Sequence, residues 1–357
     1  MRAWLRWLPA AVVPAVIATG AFASSSQAGA AVDLAPKTPE QVLAMVGQST
    51  VRAFSGTIEQ TSELGLPKLP VSGPAPSGAA AALDLLTGSH TARVYVDGPA
   101  NLRVQVMDTF AERDVVRRGS DVWLYSSEDN TATHLTLPAE TAPDAAAKPG
   151  AVQTPAQLAH LLLAAIDPST DVTVGANTTV AGRAAYDLML TPRSSDTLVG
   201  SVSIAVDSET GLPLSVEVQA RGQDKAAFEI AFTALTLQAP AADRFQFVPP
   251  PGATVKQQVL PALTAMQQVP GAAALHSQLA TAQPTISGTG WDAVIELPAG
   301  AAPSALTSSP LFGQVTRAVT GGRLLHTALL NVLLTDDGRV FLGSVPVERL
   351  QAVAAGT

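Results

Sequence analysis

The residues that could perform acid–base, nucleophilic or metal chemistry are dispersed along this sequence. None of the five histidines stands at metal-ligand spacing from another or beside a carboxylate pattern. They are His90, His134, His160, His276 and His326. The signature motifs of α/β-hydrolases, β-lactamases, zinc peptidases and P-loop NTPases are absent. We therefore predict no enzyme, no metal and no cofactor. A hydrolase assembled from residues outside known motifs stays an alternative.

Composition excludes several further classes of function. The 357 residues include no cysteine, which excludes disulfides, thiolate metal sites, a cysteine nucleophile and a lipidated cysteine. The formal net charge is −8, and removing Arg2 and Arg6 with the leader described next makes it −10. No cluster of Lys and Arg interrupts this excess of negative charge, so nucleic acid and anionic membrane surfaces are not expected as partners.

Residues 1–30 have the organisation of a secretory signal peptide. Arg2 and Arg6 precede an apolar run at residues 8–22, and the small residues at 28–30 fit the rule for signal-peptide cleavage. The apolar run is shorter than the about 20 residues that a membrane span needs. We expect cleavage between Ala30 and Ala31 and a secreted, extracytoplasmic protein. An uncleaved membrane anchor is the alternative.

Two helix starts share the sequence Thr-Pro-x-Gln, at residues 38–41 and 154–157. In each, Thr can cap the helix, Pro fits the first helical position and Gln can bond back to the capping residue. Helices are predicted from these points to about residue 48 and about residue 166. The second is apolar on most sides, which predicts that it is covered on most sides.

Elsewhere in the first 250 residues the apolar side chains recur with a period of two, which is typical of strands. This pattern predicts strands at 54–61, 93–96, 102–107, 113–118, 122–126, 132–137, 171–175, 184–191, 201–206, 214–220, 227–237 and 245–248. Val202, Ile204 and Val206 alternate with serines. The alternation indicates an antiparallel sheet with one apolar and one polar face.

The predicted fold class is mainly β (α+β), with a curved antiparallel sheet under a thin helical cover. Aromatic residues make up only 4% of the chain, so the interior should be aliphatic. A cavity between such a sheet and its cover suits acyl chains better than sugars or nucleotides. Filling of that space by the protein's own side chains is the alternative.

The composition shifts outside this pattern. Residues 67–88 and 138–153 are rich in Pro, Gly, Ser and Ala and predict mobile loops or lids. Three prolines at 249–251 cannot donate to a ladder and predict the end of the sheet. Beyond them we predict helices at 256–269 and 272–279 and strands at 291–297, 324–335 and 339–345. The residues at 336–338 predict a hairpin turn rather than a calcium loop.

Several segments of the sequence resemble the LolA/LolB/RseB superfamily of periplasmic lipoprotein carriers and stress sensors. The first is the opening helix with FSGTIEQ at 54–60, the second is GPANLRV at 98–104 and the third is VVRRGSDVWLY at 115–125. The fourth is FQFVPPPGATV at 245–255, similar to the family's closing motif. VAGR at 180–183 with DSETGLPL at 207–214 resembles the RseB branch.

The resemblance implies an incomplete half-barrel of about 11 antiparallel strands with a helical lid and a hydrophobic cavity for acyl chains. It spans residues 31–256 and leaves 257–357 as a small C-terminal α+β module. One departure concerns Gly98, because LolA-type carriers place a lid-latching Arg there. The residues assigned to the cavity face, with plain core packing as the alternative, are Phe54, Ile58, Leu102, Val104, Trp123, Tyr125, Leu188, Leu190, Val202 and Ile204.

Two functions follow as hypotheses. The first is a non-enzymatic LolA-like protein that binds a lipid or lipoprotein acyl chain. The alternative is an RseB-like regulator that binds the extracytoplasmic part of a membrane anti-sigma factor, with the C-terminal module as the docking piece.

Overall fold

The structure is a computed structural model that describes residues 33–66, 88–107, 112–137, 154–259, 284–302, 307 and 310–356. The predicted signal peptide, nearly all of the two predicted loops, and the predicted helical residues from 260 to 279 lie outside these ranges. No helix within the described ranges is long and apolar enough to cross a bilayer.

The larger of two sheets contains thirteen strands. They are β1 (Ala53–Ser62), β2 (Gly88–Asp97), β3 (Asn101–Met107), β4 (Glu112–Arg118), β5 (Asp121–Ser126), β6 (Thr131–Thr136), β7 (Thr170–Val174), β8 (Thr178–Val180), β9 (Arg183–Pro192), β10 (Val199–Asp207), β11 (Pro213–Ala220), β12 (Ala226–Thr236) and β13 (Thr254–Val259). The predicted fold class is confirmed, because this sheet is open and helices are few.

The strand order is β13-β6-β5-β4-β3-β2-β1-β12-β11-β10-β9-β7, with β8 paired to β9. Strands β13 and β7 stand at the two ends and do not pair with each other, so the barrel is incomplete. All pairs are antiparallel except β13 with β6. The central pair, β1 with β12, joins the two halves of the chain, and a bulge between Thr57 and Ile58 locally bends it.

Helices α1 (Pro39–Gly47) and α2 (Pro155–Ala164) begin where the sequence predicts. Thr38 accepts from the amide of Gln41, and the Gln41 side chain accepts from the amide of Thr38. The same reciprocal pair forms between Thr154 and Gln157. Helix α1 packs on β7 and β9, and α2 packs mainly on β11 and β12. Both helices therefore cover the same half of the sheet.

The predicted strand at 245–248 is wrong. Residues Ala242–Phe245 form a short 3-10 helix, and 246–253 are not part of any ladder. The predicted helix at 256–269 is also wrong over its described part, because residues up to Val259 belong to β13. The sheet therefore continues past the prolines. The division at 256/257 stays a prediction.

The second sheet has six strands in the order β14-β15-β19-β18-β17-β16. They are β14 (Thr285–Ser287), β15 (Val294–Leu297), β16 (Thr316–Val319), β17 (Gly322–His326), β18 (Asn331–Thr335) and β19 (Val340–Gly343). Helix α3 (Pro310–Val315) precedes β16, and α4 (Val347–Ala355) follows β19. A small core on one face of this sheet joins Leu324, Leu333 and Phe341 to Leu350 of α4.

One expectation for this region is corrected and another is confirmed. The predicted single strand at 324–335 is a hairpin of β17 and β18. The predicted turn at 336–338 does join β18 to β19, with the amide of Gly338 donating to the carbonyl of Thr335. Gly338 has a φ of 84°, which favours glycine there.

Candidate functional site

The inner face of the large sheet, defined as the face that packs against α1 and α2, carries the main hydrophobic core. Val42 and Val46 of α1 and Leu158 and Ala159 of α2 belong to the same buried cluster as the sheet residues. The sheet contribution is mostly aliphatic, with Phe228 and Phe232 of β12 adding aromatic rings.

Eight of the ten residues predicted for a cavity face lie on this inner face. Seven are buried members of the main core, and Leu102 is partly buried against it. The seven are Phe54, Ile58, Val104, Leu188, Leu190, Val202 and Ile204. Direct cross-strand pairs such as Leu188 with Ile204 place them side by side. Their burial is that of a core, and their role as cavity lining stays a prediction.

The other two, Trp123 and Tyr125, lie on the opposite, outer face. Val104 pairs with Val115 and Val115 with Leu124, so Leu124 lies on the inner face and its neighbours Trp123 and Tyr125 do not. Both rings pack against Phe247, at centroid distances of 5.3 and 5.7 Å. Trp123 and Tyr125 therefore hold the segment after the 3-10 helix against the sheet.

The outer face also holds a buried ion pair. Arg103 donates to both carboxylate oxygens of Asp114, at 3.2 and 2.5 Å, and to the carbonyl oxygen of Arg244 at 3.2 Å. Burial raises the pKa of Asp114, and the hydrogen bond from Arg103 opposes that rise. The Arg244 guanidinium lies over the ring of Tyr95. This cluster anchors the segment 242–247 and offers no open polar site.

A strip of directly paired inner-face residues runs from the covered to the open part of the sheet. Val94 pairs with Val104, Val104 with Val115, and Val115 with Leu124. Val94 is 0% and Val104 2% exposed, Val115 is partly buried, and Leu124 is 39% exposed. The strip thus connects the buried interior to solvent. The period of two in the sequence predicts the strands that carry this strip, but only the pairing register of β2 to β5 shows that its residues lie side by side.

Buried polar side chains interrupt the inner face at one end of β1 and β2. Gln60 pairs with His90 across these strands, and both are buried. The side chain of Gln60 donates to the hydroxyl of Ser62 at 3.4 Å. An apolar interior with a few polar groups at one end has the composition of a site for an amphiphile.

The two segments that resemble the RseB branch form one ion-pair network. The backbone turn at Ala181 and Gly182 has positive φ at both residues and brings Arg183 to the start of β9. Arg183 donates to both oxygens of Asp207, at 2.8 and 2.9 Å, and to Glu209 at 2.7 Å. The hydrogen bond to Asp207 is the main reason that the pKa of Arg183 is raised. These residues fix the turn between β10 and β11.

The backbone conformation at residue 98 explains why a glycine stands where LolA-type carriers have an arginine. Gly98 has a φ of 66° in the turn between β2 and β3, and its amide donates to the carbonyl of Arg52 at 2.7 Å. An arginine in that conformation would be strained. The local backbone of this turn therefore does not suit an arginine latch.

Nothing in the described ranges groups three or more His, Asp or Glu side chains as a metal site would. The partly buried Asp187 accepts a hydrogen bond from Ser203 on the outer face. Burial raises the pKa of Asp187, and the Ser203 hydroxyl opposes the rise. The inner face is the stronger candidate for function.

No protein-family model and no curated protein matches the chain. Among solved structures, MucB is similar, with 18% identity and a TM-score of 0.42 over 89% of this chain and 96% of that chain. The MucA/MucB complex of Pseudomonas aeruginosa matches with 19% identity and a TM-score of 0.41, over 88% of this chain and 96% of that chain. A LolA superfamily protein from Nitrosomonas europaea matches with 11% identity and a TM-score of 0.24, covering 59% and 99% of the two chains.

This chain resembles the LolA/LolB/RseB superfamily. The solved structures that match include MucB and a LolA superfamily protein, in line with the resemblance drawn from the sequence motifs. All three TM-scores are below 0.5, so what those proteins bind is not carried over to this chain. Its function has to be argued from its own residues.

Proposed function

We propose that this is a non-enzymatic extracytoplasmic protein whose inner face binds the acyl chain of a lipid or lipoprotein. The observation that carries the proposal is the aliphatic strip from Val94 to Leu124. It begins among fully buried side chains and ends at one that is 39% exposed. A long acyl chain has the matching requirement, because it gains about 0.8 kcal/mol for each methylene removed from water.

The arrangement of the cover supports the same function. Helices α1 and α2 pack on the half of the sheet formed by β7, β9, β11 and β12, whereas the strip lies on β2 to β5. The exposed end of the strip, at Leu124, therefore lies on the half of the sheet that these helices do not cover. A chain inserted along it would extend the core and disturb no ladder.

Native mass spectrometry of protein purified from its own host tests the proposal directly. We expect a co-purified lipid or acylated peptide of defined mass. A fluorescent fatty acid supplies the second measurement. Replacing Leu124→Arg places a charge at the exposed end of the strip and should weaken binding. The control Val248→Arg adds the same charge at a side chain that is 82% exposed and follows Phe247, which packs on the outer face of the sheet. The proposal would be contradicted if no lipid co-purified and both variants bound the fluorescent fatty acid equally well.

A second candidate is the regulatory function, and a specific surface favours it. On the face of the second sheet opposite its core, one row crosses five strands through Ile286, Ile295, Leu342, Val332 and Leu325. Ile286 is exposed and the other four are partly buried. An apolar row of this length is suited to a protein partner.

We propose the extracytoplasmic part of a membrane anti-sigma factor as that partner, because VAGR at 180–183 and DSETGLPL at 207–214 resemble the RseB branch. Pull-down from host membranes should recover an anti-sigma factor with the wild-type chain and lose it with Ile286→Glu. Thr285→Glu, one residue away on the other face, is the matched control. Recovery of no such protein by the wild type would count against this candidate.

A further inference from the structure

Two side chains from the C-terminal part of the chain pack on the core of the large sheet. Trp291, in the short 3-10 helix before β15, and Leu329, in the loop between β17 and β18, are partly buried against the main cluster. The small core of the second sheet is a separate cluster. The C-terminal part therefore contributes directly to the interior that the large sheet encloses.

Two features fix the position of Trp291, a hydrogen bond from its indole ring and the close packing of the glycine that precedes it. Its indole Nε1 donates to the hydroxyl of Thr170, the first residue of β7, at 2.9 Å. The preceding Gly290 has a φ of 58°, and a Cβ there would lie 2.2 Å from the hydroxyl oxygen of Ser169. A buried indole uses its ring as apolar surface and its N–H as a polar handle. Here the hydrogen bond from the indole N–H to Thr170 holds the ring of Trp291 against the end of the core.

Other contacts make the junction rigid. The carbonyl of Ser344 accepts from the amide of Leu198 at 2.7 Å and from the hydroxyl of Thr197 at 2.8 Å. The amide of Ala328 donates to the carbonyl of Leu64 at 2.9 Å, directly beside Leu329. The two sheets are thus joined at three separate places, and Trp291 and Leu329 stand next to two of them.

We infer that the acyl-binding interior is formed by both parts of the chain, with Trp291 as the wall residue that the bound acyl chain contacts. This inference rests on the proposed function. A large ring at the end of the interior limits how far a chain can extend, so Trp291 would also set the preferred chain length.

The sequence offers a clean test, because only two tryptophans follow residue 30. Trp291 lies at the interior and Trp123 lies on the outer face. The variants Trp123→Phe and Trp291→Phe each leave one of them. Both are titrated with stearic acids brominated at different carbons, because bromine quenches tryptophan fluorescence at short range. Displacement of a fluorescent fatty acid measures binding independently in the same samples.

We expect at least one brominated acid to quench Trp291 in the Trp123→Phe variant more strongly than any of them quenches Trp123 in the Trp291→Phe variant. Binding without quenching of Trp291, or with quenching of Trp123 instead, overturns the inference and leaves the proposed function standing. No displacement by any fatty acid or diacyl lipid removes both. Comparing free fatty acid with diacyl lipid separates the two sources of acyl chain.

A backbone variant adds a second measurement. Gly290→Ala should displace Trp291 because of the contact with Ser169, and should weaken binding of a long acyl chain by about tenfold. Gly300→Ala is the matched control, because Gly300 also has a positive φ of 84° but nothing lies within 4 Å of an added Cβ. Circular dichroism checks that both variants are folded. Equal affinities for the two would contradict the inference.

Discussion

The buried carboxylate of Asp207 should be one of the most sensitive positions in the large sheet. Its side chain is 1% exposed and accepts four hydrogen bonds. Two come from Arg183, at 2.8 and 2.9 Å, and two from the amide and the hydroxyl of Thr210. The change Asp207→Ala removes all four acceptor contacts at once and leaves the guanidinium without its main partner.

The expected magnitude follows from the geometry. Removing one partner of a buried ion pair costs about 3–5 kcal/mol. Arg183 keeps its contact with Glu209, so we expect the lower end, about 3 kcal/mol, for the free energy of unfolding. Glu209 binds the same guanidinium at 2.7 Å but is 78% exposed. Glu209→Ala should therefore cost below about 1 kcal/mol, as surface ion pairs do.

Urea unfolding followed by the fluorescence of Trp123, in a Trp291→Phe background, measures both losses in the large sheet. The double variant Arg183→Ala with Asp207→Ala completes a double-mutant cycle. We expect it to be less destabilised than the sum of the single changes, because no uncompensated charge remains. If Asp207→Ala costs no more than Glu209→Ala, the pair does not hold the turn and the structural role of this motif is refuted.

Two further predictions concern single sites. Burial raises the pKa of the Asp187 carboxyl group. The contribution of this group to stability is therefore present at low pH and is lost as the pH rises through that pKa. Asp187→Asn should gain stability relative to wild type above about pH 4, whereas Asp224→Asn in an exposed loop should not. Urea unfolding at several pH values measures the difference in the free energy of unfolding between Asp187→Asn and wild type. A difference that does not change with pH contradicts the prediction. Gly211→Ala should cost more than about 2 kcal/mol, because φ is 69° and the added Cβ would lie 2.2 Å from the carbonyl oxygen of Met45 in α1. Gly222→Ala, at a similar φ with nothing within 4 Å of the added Cβ, should cost only the backbone strain. Equal losses of stability in the two variants would show that α1 moves away from the added Cβ at no cost.

Local patterns were sufficient to predict the regular elements of the large sheet. The period of two identified β1 to β7 and β9 to β12 within two residues at each end, except that β2 begins five residues earlier than predicted, since one face of each strand is buried. The repeated Thr-Pro-x-Gln identified both helix starts, because the signal is confined to four consecutive residues. The three-residue strand β8 and the strands β14 and β16 were missed, because short segments carry too few alternations.

The candidate site could be predicted only where one face of a strand is apolar. Strand β5 carries Val122 and Leu124 on one face and Trp123 and Tyr125 on the other. Alternation alone cannot choose between two apolar faces, and the aromatic pair was assigned to the wrong one. The choice depends on the register with β4, which is a long-range property. Trp291 was missed for a similar reason, because its contact with Thr170 joins residues 121 positions apart.

The segment FQFVPPPGATV shows why the prolines did not end the sheet. Residues 237–253 connect β12 to β13, which stand seven strand positions apart in the sheet, roughly 34 Å at the usual spacing. Seventeen residues reach about 56 Å when fully extended, so the connection can cross that distance and still include the 3-10 helix. Consecutive prolines favour an extended backbone that needs no strand partner. Phe245 is buried, and Phe247 packs against Trp123 and Tyr125 on the outer face. The prolines thus suppress pairing during the crossing, and pairing resumes at Thr254, parallel to β6.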